Sequence, residues 1–214
     1  MLKTRGRNKI IVDGWKLEPF AGDKVYKFDC GDDDLNSFFK EDVREHDRDL
    51  MVKTFVLAPV GLRLSEHNPP SAFISFCNDA IRKEAFENRS QWKKITKKIP
   101  SRKRYDVLPA VKIARLGVDI NYRKKGIGAK LLNMTRELFL TENRTGCRFL
   151  TVDAYITKEA IDFYSRNGFD FFTPNEKTRC EEILKEDLKS NVEPQTVAMW
   201  FDLFRAKADI DQKP

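Results

Sequence analysis

The stretch NYRKKGIGAKLL, residues 121–132, decides how this chain is read. Three basic residues, Arg123 to Lys125, run into two glycines, Gly126 and Gly128. A strand-like segment, Val111 to Ile120, precedes them and a helix-like run follows. A helix start leaves backbone N–H groups unpaired and carries a partial positive charge. Glycine lets the backbone approach an anion with no Cβ in the way. A pyrophosphate placed here would receive several backbone hydrogen bonds at once. The Walker pattern GxxxxGK[ST] is absent, and the third glycine of a dinucleotide fingerprint is missing. Alone, the GIG turn is equally compatible with a plain strand–turn–helix joint.

Outward from this turn, strand and helix patterns alternate. WKLEPF, residues 15–20, reads as a first strand. DDDLNSFFKEDVREHDRDLM, residues 32–51, reads as a helix with acids Asp32 to Asp34 at its start. Leu35, Phe38, Phe39, Val43, His46 and Leu50 would share its inner face. VKTFVLAPV (52–60) and SAFISFCNDAI (71–81) form a hairpin with a long turn. After a basic segment broken by Pro100 and Pro109 come AVKIARLGVDI as a strand and the helix that follows the GIG turn. CRFLTVDAY is a strand, and TKEAIDFYSRNG a helix capped by Thr157 and ended by Gly168. FDFF is a short strand, a polar link follows, and TVAMWFDL is the last strand. This predicts one α/β (α+β) domain over residues 1–214 around a mixed, mostly antiparallel sheet flanked by helices. It also predicts a flexible tail from about residue 205.

With 214 residues and 41% apolar content, the chain can bury a full core. It has no apolar run long enough to cross a membrane, and its basic start lacks the apolar stretch of a signal peptide. Four scattered cysteines and two histidines argue against a zinc site and for reduced thiols in the cytoplasm. The net charge is +7, and residues 81–104 alone hold ten Lys or Arg against two Glu. One local insert therefore carries the whole excess. Lys93, Lys94, Lys97, Lys98, Arg102, Lys103 and Arg104 are its candidate contacts to RNA phosphates, with Trp92 and Tyr105 available to stack on bases. A solvated helix and loop with no partner is an equal alternative.

Arg123-x-x-Gly126-x-Gly128 after the strand RLGVDI resembles the acetyl-CoA pyrophosphate loop of the GNAT acetyltransferase superfamily. TKEAIDFYSRNGFDFF is similar to that superfamily's late helix and strand. Taken with FDCGDDDLNSFFKEDVREHD near the start and LPAVKIARLGVDINYRKKGIGAKLL in the middle, the chain most resembles the toxins of toxin–antitoxin pairs that acetylate aminoacyl-tRNA. It is longer than those toxins, and its basic insert and the link 174–195 are larger. The resemblance implies a sheet splayed between its fourth and fifth strands, with acetyl-CoA in the cleft. It implies pyrophosphate binding by Arg123, Lys124, Lys125, Gly126, Ile127, Gly128 and Ala129. It further implies pantetheine pairing and an oxyanion-binding N–H along Leu116, Gly117 and Val118. Thr157 would touch the cofactor arm or serve as a helix cap alone. Tyr164 would protonate the departing thiolate, the alternative being a packed aromatic, a role that Phe163 fits better.

The resemblance leads one to seek a Glu base on the strand AVKIARLGV, and there is none. Asp119 at its end reads as structural. A lysine amine titrates near ~10.4, an α-amine near ~7.7 to 8.0. Without a base, the α-amine is the acceptor that is partly neutral at pH 7. The implied function is acetyl transfer from acetyl-CoA to a primary amine by direct attack, in the toxin-like reading the α-amine of aminoacyl-tRNA. The expected partners are then acetyl-CoA, tRNA and an antitoxin protein. One alternative is an acetyltransferase for a small molecule or peptide, the basic segment being a lid or a homodimer surface. Another is a non-catalytic acetyl-CoA-binding module.

Overall fold

The computed structural model describes all residues except 1–4, 7–8, 23–25, 98, 100–104, 144–145, 186–194 and 212–214. The fold is mixed α/β, and its strands pair mostly antiparallel, with one parallel pair. The chain forms two compact units, 1–77 with 113–145 and 78–112 with 146–214.

The first unit opens with β1 (Arg5–Gly6), β2 (Lys9–Val12) and β3 (Trp15–Pro19). WKLEP is thus the third strand and not the first. Asp13 and Gly14 join β2 to β3 with φ of 48° and 77°, both left-handed, as a tight hairpin turn requires. β4 (Lys53–Pro59) pairs antiparallel with β3 and with β5 (Ala72–Arg82), Phe55 opposite Ile74. The later half of β6 (Val107–Val118) follows, so the strand order is β1-β2-β3-β4-β5-β6. Pro109, expected as a breaker, lies inside β6.

The expected single helix of residues 32–51 is three pieces: α1 (Asp33–Ser37), a π-helical turn Phe38–Asp42 and α2 (Val43–Arg48). Asp32 caps α1 by accepting from the Leu35 N–H at 3.0 Å. The π turn accompanies two consecutive buried residues, Phe38 and Phe39, which a regular 3.6-residue period would splay apart. The Phe39 ring lies 4.4 Å from Phe73 and 5.0 Å from Phe28, centroid to centroid. His46 and Leu50 do not share this inner face. His46 is exposed with its ring edge-on to Phe38, and Leu50 is 90% exposed in a left-handed conformation (φ 58°) after the helix has ended. α4 (Ile127–Thr141) buries Ile127, Leu131, Met134 and Leu138 at three- and four-residue spacing.

The second unit holds the remaining parts of β5 and β6 with β7 (Phe149–Tyr155), β8 (Asp170–Phe171) and β9 (Thr196–Asp202), in the order β5-β6-β7-β9-β8. β7 and β9 pair antiparallel along their full lengths, Thr151 opposite Trp200. Its helices are α3 (Arg89–Thr96), α5 (Lys158–Arg166), α6 (Pro174–Lys185) and α7 (Leu203–Asp211). α6 lies within the stretch expected as a polar link, and the stretch after Phe204 continues as α7. The core gathers Ile81, Trp92, Ile95, Leu108, Phe149 and Trp200.

Candidate active site

The turn between β6 and α4 is built stepwise. Asp119, 1% exposed, ends the strand, and its Oδ1 accepts from the Asn121 N–H at 2.9 Å, capping a 3-10 turn over Ile120–Tyr122. Arg123 is extended. Lys124 then takes a left-handed conformation (φ 58°), and Gly126 another (φ 74°). For lysine that conformation costs energy, and such residues gather at ligand clamps. The Lys130 N–H donates to the Gly126 carbonyl at 3.0 Å. Ile127, Gly128 and Ala129 stand one turn earlier, where a helix offers their N–H groups no acceptor. A Cβ on Gly126 would meet nothing within 4 Å, so the turn is open on that side. An anion fits this arrangement.

The cations of the turn are not equivalent. The Arg123 guanidinium donates to the Cys30 carbonyl, and Lys125 Nζ donates to the Asn121 carbonyl at 2.8 Å, lying 5.8 Å from the Tyr122 ring centroid. Both hold the turn together. Lys124 is exposed and makes no ion pair among the described residues, which leaves its ammonium available to an incoming phosphate.

On β6, Gly117 is buried while Leu116 and Val118 are half-buried. The lack of a side chain at Gly117 has a packing reason that the sequence does not show. A Cβ there would stand 2.5 Å from Cε1 of Phe73, whose ring is fully buried.

The second unit carries the other predicted residues. Thr157 is exposed and caps α5, its Oγ1 accepting from the Ala160 N–H at 3.2 Å. Tyr164 is only 8% exposed, its ring edge-on to Phe163 at 5.0 Å and to Phe169 at 5.3 Å. Phe163, expected to be the more deeply packed of the two, is half-buried. Burial pushes the Tyr164 phenol well above its ordinary pKa, so it keeps its proton at neutral pH.

The basic segment divides. Asn88 caps α3 by accepting from the Ser90 and Gln91 N–H groups, both at 3.1 Å. Trp92 and Ile95 point inward, and Lys93, Lys94 and Lys97 are exposed. Trp92 is 6% exposed, with Phe86 at 5.4 Å, so it anchors the helix and cannot stack on a base. Tyr105, 44% exposed, can. Lys98, Arg102, Lys103 and Arg104 lie outside the described residues. Among the described residues no three His, Cys, Asp or Glu cluster as a metal site, and no helix is long and apolar enough to cross a membrane.

Residues 96–170 match the acetyltransferase (GNAT) domain family. No curated protein sequence matches. Among solved structures, AtaT complexed with acetyl-methionyl-tRNAfMet is 21% identical with a TM-score of 0.64, covering 92% of this chain and 99% of that one. A tyrosine-to-phenylalanine mutant of KacT is 18% identical with a TM-score of 0.65, over the same shares of the two chains. AtaTR bound with AcCoA is 19% identical with a TM-score of 0.64, covering 93% and 99%. At these identities the likeness is one of fold. Over residues 96–170 the chain is similar to a GNAT acetyltransferase domain, a kind of domain that transfers an acetyl group from acetyl-CoA to an amine.

Proposed function

We propose that the acceptor is the α-amine of an aminoacyl-tRNA. The observation that carries this reading is the outer face of α3, where Lys93, Lys94 and Lys97 stand exposed on a helix pinned by buried Trp92 and Ile95. A lysine face on a rigid element suits a phosphate backbone better than it suits a mobile lid. Two further facts support it. β6 carries no glutamate base, which suits an amine already partly neutral at pH 7. The AtaT structure named above holds an acetylated methionyl-tRNA, and another holds AtaT with its antitoxin AtaR. An antitoxin partner and a cytoplasmic site of action belong to the same reading.

In this reading Arg123 to Ala129 hold the pyrophosphate of acetyl-CoA, Lys124 and the first N–H groups of α4 doing most of the work. The backbone of Leu116 to Val118 supports the pantetheine arm and the developing oxyanion, and Thr157 steadies the start of α5. The amine attacks the thioester carbonyl, a C–N bond forms as the C–S bond breaks, and the ammonium proton passes to water. Tyr164 gives its proton to the departing sulfur. Because the buried phenol is a weaker acid than usual, its transfer needs the negative charge that appears on sulfur only as the bond breaks.

The test is acetylation of charged tRNA by the purified protein with acetyl-CoA, against free amino acid, polyamine and an N-terminal peptide. Acetylated aminoacyl-tRNA is expected. Turnover on a small amine with none on tRNA would overturn the reading. Gly126→Asp is expected to abolish acetyl-CoA binding in titration calorimetry while the circular dichroism spectrum stays that of a folded protein.

A further inference from the structure

A chain segment outside the expected site residues grips the phosphate turn. The Ile120 N–H donates to the Asp29 carbonyl at 2.8 Å, the Asp29 N–H donates to Asp119 Oδ2 at 3.4 Å, and the Arg123 guanidinium donates to the Cys30 carbonyl. These three bonds join segments about ninety residues apart in sequence. All of them fall on Asp119 to Arg123, immediately before the left-handed Lys124.

Segment 29–31 is itself locked from within. Asn36, 8% exposed, accepts from the Cys30 N–H at 2.8 Å through its Oδ1 and donates to Asp29 Oδ1 at 2.8 Å through its Nδ2. The Gly31 N–H donates to the same Asp29 oxygen at 2.7 Å, with Gly31 at φ 70°. These two donors hold the Asp29 carboxyl below its ordinary pKa, so it stays an acceptor. Asn36 thus fixes the turn from Asp29 to Gly31, and that turn fixes where the chain enters the phosphate-binding turn.

We infer that Asn36 and Asp29 are positioning residues for the pyrophosphate cradle, acting through Asp119 and Arg123. The inference rests on the reading of that turn as the cradle. α4 is already held by its buried face, Ile127, Leu131, Met134 and Leu138, so the latch is not needed to dock the helix. Its bonds end on the one stretch whose backbone direction decides where the Lys124 to Ala129 N–H groups point. A cradle displaced by an ångström loses the convergence that lets several N–H groups reach one anion.

The test is Asn36→Asp in the full chain. It keeps the Oδ1 that accepts from Cys30, and it replaces the donor facing Asp29 with an oxygen that repels it. Two readouts are taken: CoA affinity by titration calorimetry, and the phosphorus NMR spectrum of CoA at saturation. An affinity loss of about tenfold is expected, the effect of breaking one hydrogen bond to a charged group. Pyrophosphate resonances should move while the 3′-phosphate resonance stays. Affinity within twofold of wild type would overturn the inference. So would weaker binding with unmoved pyrophosphate resonances, which is what general destabilisation produces. Asn36→Ala serves as a second variant, and if it fails to fold, the near-isosteric Asn36→Asp carries the test alone. Gly126→Asp run in parallel separates the two readings. If it binds CoA like wild type, the cradle itself is wrong and the latch has nothing to position.

Discussion

Neutralising the outer face of α3 tests the RNA reading most directly, through Lys93→Gln, Lys94→Gln and Lys97→Gln in one protein. All three side chains are exposed and none makes an ion pair among the described residues. Their removal should leave the fold alone, since surface changes of this kind usually stay within about 0.5 kcal/mol. Each lysine that neutralises one phosphate contributes roughly 0.7 to 0.9 to the slope of log affinity against log salt. Three together should flatten the slope by about 2 to 3. Between roughly 50 and 200 mM salt, the affinity gap between wild type and the triple variant should therefore shrink about 20- to 40-fold. Filter binding of charged tRNA at the two salt concentrations measures this, with calorimetry of acetyl-CoA as the control. Parallel salt dependences for the two proteins would refute the reasoning, because the lysines would then be solvated charges with no phosphate opposite them. Reduced acetyl-CoA affinity in the triple variant would equally refute it, because α3 would then be serving the donor and not the RNA.

Trp92→Ala should cost about 3 to 5 kcal/mol of stability, as burial of a large aromatic implies, and be read as a lowered melting temperature. Tyr105→Ala should leave melting unchanged and weaken tRNA binding by about 1 to 3 kcal/mol if a base stacks on it. Gly117→Ala should destabilise the protein by about 1 to 3 kcal/mol, because its Cβ meets the fully buried Phe73 ring, and Phe73→Leu in the same chain should recover part of the loss. Tyr164→Phe should lower turnover about 10²- to 10⁴-fold with acetyl-CoA affinity retained. The raised phenol pKa adds a stability signature. Above about pH 10 the unfolded chain gives up this proton while the folded chain keeps it, so the wild type loses stability as pH rises from there, and Tyr164→Phe should lose less.

How far the sequence could be read follows from the range over which its signals act. The GIG turn, the Thr157 cap and the strands around them are announced by residue patterns within a few positions of chain, and the structure has a turn, a cap and strands there. Two further local signals stand in the sequence. Asp13-Gly14 is a hairpin turn pair between apolar runs. Thr173 and Glu176 form a reciprocal capping box, each side chain accepting from the other's N–H at 3.1 and 3.0 Å, which opens α6. α6 buries Cys180 alone and so shows almost no apolar period in the sequence. The inward turn of Trp92 was open to local reading as well, since Trp92 and Ile95 are spaced three apart among lysines.

The rest lies beyond local reach. Nothing near Gly117 in sequence announces Phe73, and nothing near Arg123 announces Cys30. FDCGDDDLN could be matched as a motif, yet its residues had no chemical task that periodicity or capping could assign beyond the Asp32 cap. The structure gives Asp29 a contact: held by Asn36, it bonds across about ninety residues to the turn that the opening stretch made conspicuous. A motif without a local explanation is thus where a long-range contact is to be sought. In this chain the early acidic segment and the later GIG turn are bonded to one another.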